Sequence, residues 1–473
     1  MRSAAIRLGA AAWALALLAC RDSPAGPPET EPGCQRVAST ALELPPPARL
    51  LAARRQALAR SITDGVVLLA AGTANPDPQN SGYRGDSNLF YLAGLDVPGS
   101  WLMLVVRGGQ VDSTILYLPP QATSASAPIL VTEVTGATRV RCLSALGESA
   151  RRLMPGSGLP LQLDFQNAAA RDTLVESLLA IPGVEARELY VPLAELRLVK
   201  DSAEIARLGV AADITARAIG DAVGAVRPGR SEGDVASAVL AGFTARGAPA
   251  ASFPSIVASA GNALTLHYNA NQRTLAGGEL VLIDVGAEYG RYAGDVTRTF
   301  PVSGRFSERQ RALYELVLGA QQAGIAAVRP GVTLDHLEQQ ARTYLAAHSG
   351  SLCGTRTCDQ YFIHLLSHWL GLNVHDVGSR AAPLVPGMVL TIEPGIYLPS
   401  DSLGIRIEDD VLVTTTGAQV LSAAVPKTVT DIEALFASRG AAVAARGRGP
   451  ASGSPPAKLA ARGRILGDVP GLQ

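Results

Sequence analysis

Apolar residues recur at three- and four-residue intervals through RLLAARRQALARSI (49–62), which predicts a helix. Unbroken apolar runs in GVVLLAAG (65–72), SWLMLVVRGG (100–109) and STILYLP (113–119) predict buried strands. The longest periodic stretch, RLVKDSAEIARLGVAADITARAIGDAVGAV (197–226), predicts an amphipathic helix with Asp201 or Ser202 at its N-cap. A domain boundary is expected just before it, near 195, and strands alternate with helices from there to about Arg439.

Two later segments each read as a strand pair. In ELVLIDVGAEYGRYAGDVTRTF (279–300), a two-residue turn at Tyr289–Gly290 sets Glu288 opposite Arg291 and Asp284 opposite Asp295. Directly opposed residues lie on one face with Cβ atoms about 5 Å apart. Two carboxylates held that close need a positive charge between them, and a divalent cation supplies it. GMVLTIEPGIYLPSDSLGIRIEDDVLVTTTG (387–417) repeats the idea with Glu393 and Glu408. LIDVG and TIEPG resemble one another, as two copies of a duplicated unit would. Asp409 and Asp410 are expected to be exposed or salt-bridged rather than to act as ligands, Asp409 pointing to the opposite face of its strand.

HLLSHWLGLNVHD (364–376) holds His364, His368 and His375, three of the six histidines in the chain. Imidazole is the common metal ligand and near-neutral proton carrier. Four carboxylates in two pairs plus a histidine make a donor set for two divalent ions, oxygen-rich enough for Mn²⁺ and open to Co²⁺, Zn²⁺ or Fe²⁺. Two ions roughly 3.5–4 Å apart share a hydroxide and polarise a carbonyl, which is machinery for hydrolysis.

At 473 residues the chain has room for two or three domains. Lys plus Arg and Asp plus Glu stand at 41 each, so no global field points to nucleic acid. The N-terminus MRSAAIRLGAAAWALALLAC has Arg2 and Arg7, then an apolar stretch from Leu8 to Ala19, then Cys20. That layout predicts an export signal over 1–19. Small Ala19 before Cys20 is similar to a bacterial lipobox, with Cys20 lipidated and 20–45 a disordered tether; ordinary cleavage is the alternative. Either way the protein is expected outside the cytoplasm, membrane-anchored or periplasmic/extracellular. The remaining cysteines, Cys34, Cys142, Cys353 and Cys358, then permit two disulfides, one of them Cys353–Cys358. The segment 439–473, basic and rich in Ala, Gly and Pro, is expected to be a disordered tail.

The fragments YRGDSNLFYLAGLDVPGSWLMLV, RLVKDSAEIARL, SIVASAGNALTLHY, LIDVGAEYGRYAGDVTRTFPV, SHWLGLNVHDVG, MVLTIEPGIY and GIRIEDDVLVT follow one another between about 50 and 436. In this order they resemble the pita-bread metallopeptidases, the family of aminopeptidase P, prolidase and methionine aminopeptidase. The resemblance implies an α+β protein. A smaller α/β N-terminal domain (46–194) would precede a pita-bread catalytic domain (195–438), a curved, mostly antiparallel, internally duplicated sheet with helices. It makes Asp284, Asp295, His368, Glu393 and Glu408 the metal ligands, Asp295 and Glu408 bridging. Glu393 also takes the proton of the attacking water. His267 stabilises the tetrahedral intermediate or the leaving amine, His375 contacts the substrate carbonyl, and His364 lines the pocket in the proline-specific branch. Arg406, on the face of Glu408, supports the carboxylates; Tyr397 is a weaker candidate. Leu365 stands where the family commonly has glycine and Asn373 where aspartate is frequent.

The activity implied is removal of an N-terminal residue that precedes proline, with prolidase the nearest alternative. A metal-free peptide-binding module would have lost ligands, and all five are present. Relatives also imply a homo-oligomer.

Overall fold

Val66, Leu68, Met103, Val105, Leu161 and Leu163 share one buried cluster, and their strands line up to make it. In the computed structural model, which describes residues 34, 36–37, 44–73, 83–120, 129–248 and 250–446, these strands belong to a six-stranded sheet. Its order is Arg139–Cys142, Gln110–Leu118, Trp101–Arg107, Gly65–Ala70, Leu161–Leu163, Ala186–Glu188. Trp101–Arg107 pairs antiparallel with both its neighbours, and the other three pairings are parallel. The expected helix forms over Ala48–Ile62. A disulfide joins Cys34 to Cys142. This unit ends at Tyr190, and a second compact unit begins at Val191. The boundary expected near 195 therefore falls inside a helix, Tyr190–Leu198.

In the second unit that helix is followed by α1 (Ser202–Ala222). Of the two cap candidates Asp201 takes the role: its carboxylate accepts from the N–H groups of Ala203 and Glu204, and Glu204 returns a bond to the Asp201 N–H. That reciprocal pairing satisfies orphan donors of the first turn. Helix α2 (Glu232–Thr244) follows, then β1 (Ile256–Ser259).

The next strands form two hairpins on one plan. β2 (Leu280–Val285) pairs with β5 (Val296–Pro301), and β3 (Ala287–Tyr289) pairs with β4 (Tyr292–Ala293). After α3 (Glu308–Ala327) and α4 (Leu334–Ala347), β6 (Val389–Ile392) pairs with β9 (Asp409–Val413), and β7 (Gly395–Leu398) with β8 (Leu403–Arg406). Each hairpin is interrupted midway, at Gly286 and Gly294–Asp295 in the first and at Glu393–Pro394 and Ile407–Glu408 in the second. Among the described residues, every strand pairing in this unit is antiparallel.

The first hairpin's register differs from expectation. Its turn is Gly290–Arg291, both at positive φ (55° and 74°), as a type I′ turn requires. Tyr289 therefore pairs with Tyr292, Glu288 with Ala293 and Asp284 with Thr297, not with Arg291 and Asp295 as the turn at Tyr289–Gly290 implied. Sliding a turn by one residue moves the register by two. The side-chain period is also two, so Asp284 and Asp295 stay on one face as diagonal neighbours.

The last helix, α5 (Val429–Arg446), continues past the expected start of the tail at 439. The alanine-rich stretch there has high helix propensity. The leader, Cys20, the tether before residue 34 and the chain beyond 446 lie outside the described residues. Among the described residues, no helix is long and apolar enough to cross a membrane.

Candidate active site

The interruptions of the two hairpins hold most of the acidic side chains. Proline has no N–H, so Pro394 cannot continue the ladder, and Glu393 sits at the break. Glycine is required at the first break, because a Cβ on Gly286 would collide with the Gly294 carbonyl and Ser252 Oγ. A Cβ on Gly294 would come within 2.7 Å of Thr215 Oγ1 on α1. The hairpins are stitched together where they cross: Glu408 N–H donates to the Thr297 carbonyl (3.0 Å) and Thr297 Oγ1 donates to Glu408 Oε2 (2.6 Å).

His368 reaches the carboxylates because residues 366–370 run antiparallel to β6. Glu393 N–H donates to Leu366 O, Thr391 N–H to His368 O, and Leu370 N–H to Val389 O. The His368 Nδ1 lies 3.1 Å from the Trp369 carbonyl, which fixes the proton there and turns Nε2 inward. That Nε2 stands 3.4 Å from Asp295 Oδ2 and 3.5 Å from Glu393 Oε1. Ligand atoms of Asp295, His368 and Glu408 all fall within 4.8 Å of one another.

These carboxylates are strained electrostatically. Burial, followed by repulsion from Asp284, Asp410 and Glu393, drives the Asp295 carboxyl well above its ordinary range. Burial and then Asp295, Glu393 and Asp284 do the same to Glu408. Glu393 is pushed up to about 6 by burial, partly offset by His368 and Arg406. Asp284 Oδ2 accepts from Arg406 Nη2 at 2.5 Å, while its Oδ1 is buried with no hydrogen-bond partner. An orphaned carboxylate oxygen beside three mutually repelling carboxylates and an inward imidazole nitrogen is a donor set that fits divalent cations.

The Arg406 guanidinium is woven through the side chains of this cluster. It donates to Asp284, to Tyr397 Oη (2.8 Å) and through Nε to Thr297 Oγ1 (3.1 Å). Tyr397 in turn lies 2.8 Å from His364 Nε2, and His364 Nδ1 lies 2.9 Å from the Leu365 carbonyl. A carbonyl only accepts, so Nδ1 carries the proton and Tyr397 donates to Nε2. Burial, then the Arg406 charge, lowers His364 to about 3, which keeps it in this neutral tautomer. Both ring nitrogens are thus engaged, and His364 forms a wall of the pocket 3.7 Å from Glu393.

His375 packs its ring edge-on to His368, centroids 4.3 Å apart, and is lowered to about 4 by burial and by His368 and His267. His267 is exposed and near enough to act electrostatically on both His364 and His375. Every sequence-predicted site residue therefore gathers at this one place. Leu365 is exposed beside it.

Of the adjacent acids, expected to be exposed or salt-bridged, Asp409 meets the expectation by its ion pairs and Asp410 departs from it. Asp409 and Asp410 are both fully buried, not exposed. Asp409 is salt-bridged to Arg298 (2.7 Å) and Lys427 (2.6 Å), but Asp410 accepts the backbone N–H of Asp295 (3.2 Å). Burial raises Asp410 well above the carboxylate range. Thr297 escaped sequence reasoning, which named Asp410 only as an exposed or salt-bridged acid. The alternation of TRTF with Asp295 would have put Thr297 on the ligand face, whereas nothing local marks Asp410.

A duplicated antiparallel hairpin pair closing four carboxylates and an imidazole into a cation-fitting pocket defines a metallopeptidase of the pita-bread class. Residues 206–415 match Metallopeptidase family M24, and 51–127 match the Aminopeptidase P, N-terminal domain. The Xaa-Pro aminopeptidase of Haemophilus influenzae is 37% identical over 387 residues, covering 75% of this chain and 88% of the relative. That of Escherichia coli is 33% identical over 431 residues, covering 81% and 96%. The structure of Zn-substituted E. coli aminopeptidase P in complex with product superposes with a TM-score of 0.78 at 31% identity, covering 84% of this chain and 99% of that one. The chain belongs to the aminopeptidase P family.

Proposed function

We infer that this protein is a metal-dependent aminopeptidase that hydrolyses the peptide bond between an N-terminal residue and a following proline. The observation that carries the inference is the convergence of Asp295, His368 and Glu408 donor atoms within 4.8 Å, flanked by Glu393 and the orphaned Asp284 oxygen. Asp284, Asp295, His368, Glu393 and Glu408 would hold two divalent ions. When bound, such ions polarise the scissile carbonyl and make water a nucleophile at neutral pH. Oxygen donors with a single imidazole favour Mn²⁺, with Co²⁺, Zn²⁺ and Fe²⁺ accommodated.

The side chains do the rest. Glu393 takes the proton of the attacking water at Oε2, the oxygen turned towards His364. His267 and His375, on the open side, meet the scissile carbonyl and the leaving amine, where developing charge needs a donor. Arg406 holds Asp284 and Tyr397, and through Tyr397 holds the His364 wall. Proline offers no amide N–H and a stiff backbone, so a shaped wall rather than a donor suits it.

Two disulfides in the described residues, Cys34–Cys142 and Cys353–Cys358, support export to an oxidising compartment. With it goes anchoring through a lipidated Cys20, the reading for which the lipobox-like Ala19–Cys20 junction speaks.

The test is a substrate panel. Protein stripped of metal and reloaded with Mn²⁺ is expected to release the first residue of an Xaa-Pro-Xaa tripeptide and to leave Xaa-Ala-Xaa uncut. Cleavage confined to an Xaa-Pro dipeptide would make it a prolidase instead.

A further inference from the structure

Glu232, in the first turn of α2, is a fully buried carboxylate that takes no part in the metal pocket. Its Oε1 accepts from Ser259 N–H (2.7 Å), Ser259 Oγ (2.7 Å) and Asn262 Nδ2 (3.0 Å). Its Oε2 accepts from Tyr268 Oη (2.8 Å) and Arg273 N–H (2.9 Å). The Glu232 N–H donates in turn to the Arg273 carbonyl (2.9 Å). One side chain therefore pins a single loop, residues 259–273, at its start, its first turn, its crest and its end. From the other side β8 closes on the loop: a Cβ on Gly404 would lie 2.5 Å from the Ala263 carbonyl. The crest carries exposed His267, next in sequence to Tyr268, and His267 acts electrostatically on His364 and His375.

Fastening a loop for stability alone does not call for a buried charge, since well-packed apolar side chains serve as well or better. A carboxylate with directional acceptors fixes geometry, and catalytic groups on loops need supporting residues to hold them to within about half an ångström. We propose that Glu232 is a positioning residue that acts through His267, locking the 259–273 loop so that the imidazole meets the reacting centre. The proposal rests on the role given to His267 above.

The test uses the full-length, Mn²⁺-loaded enzyme on an Xaa-Pro-Xaa tripeptide, with metal content measured for every variant. Removing a transition-state donor costs roughly 10²–10³-fold in kcat, the loss expected of His267→Ala. Glu232→Gln keeps the shape but sets an NH₂ against a backbone N–H, and is expected to lower kcat about tenfold with KM and metal content unchanged. The double variant is expected to be no slower than His267→Ala alone, because Glu232 has nothing left to position. Should Glu232→Gln fold poorly, Tyr268→Phe removes one bond beside His267 and is expected to cost roughly 2–10-fold in kcat. Wild-type kcat in Glu232→Gln or Tyr268→Phe alongside an impaired His267→Ala would overturn the proposal, as would losses that multiply in the double variant. Wild-type kcat in His267→Ala would overturn the role of His267 itself.

Discussion

In the proposed mechanism Glu393 does two things at once, holding a cation through one oxygen and taking a proton at the other. Its surroundings divide those tasks: Oε1 faces His368 at 3.5 Å and accepts from Thr391 Oγ1, while Oε2 faces His364. Truncation to alanine removes the base as well as a ligand. Glu393→Ala is expected to lower kcat by at least 10²–10⁴-fold, the worth of general-base catalysis, while circular dichroism shows an unchanged fold. Retained turnover would remove Glu393 from that role. At this scale much was legible in the sequence. Each expected ligand sits in a short motif, LIDVG, GDVT, SHWLG, TIEPG or RIEDD, whose residue types declare their chemistry. What stayed hidden was the state of residues whose partners come from afar. The burial of Asp409 depends on Arg298, Gln321, Ser422 and Lys427, which are scattered over more than a hundred residues.

Elements turn those motifs into a site by being interrupted. Gly286 permits the first interruption because no side chain fits between Gly294 and Ser252. Gly286→Ala is expected to cost about 1–3 kcal/mol of stability through overpacking and to weaken metal binding by disturbing Asp284 and Asp295. A thermal scan with and without Mn²⁺ reads both effects; unchanged metal stabilisation would show that the break does not set the ligand geometry. The histidine segment is anchored too. Asp376, next to His375, pairs with Arg197 (2.5 Å) and Lys200 (3.3 Å), all three side chains at most 3% exposed. Burial alone would raise Asp376, but the two cations hold it below the ordinary carboxylate range. A lowered folded-state pKa contributes stability above the unfolded value, about 3.9, and that contribution fades as pH falls through the folded one. Asp376→Asn, which removes the carboxylate that Arg197 and Lys200 share, is therefore expected to lose about 3–5 kcal/mol at pH 7. Urea denaturation of the metal-free proteins should show the gap to wild type closing below pH 4. A gap independent of pH would mean that the loss is one of packing. Periodicity disclosed the helices and buried strands well, since their apolar residues repeat locally. It misplaced the first hairpin turn because Gly290–Arg291 puts an arginine, not a glycine or asparagine, at the second positive-φ position.

Over the whole molecule, the order of fragments carried the fold class further than any single stretch did. A duplicated hairpin is weak as a repeat of five residues, but becomes specific once the histidine segment falls between the copies. The antiparallel pairing of residues 366–370 with β6, which brings His368 to Glu393, has no signature in local periodicity, because it is made of contacts between distant segments. The same holds for the stitching of Thr297 to Glu408. These long-range contacts produce one outcome, a pocket where acidic oxygens outnumber cations until metal arrives. The most direct measurement is a titration of the metal-free enzyme with Mn²⁺, following bound metal and release of the first residue from an Xaa-Pro-Xaa tripeptide together. Activity should be absent at the start and reach its plateau as the second equivalent binds. Full activity in the metal-free protein, or saturation with no metal retained by the pocket, would contradict a dinuclear hydrolytic centre built from these five ligands.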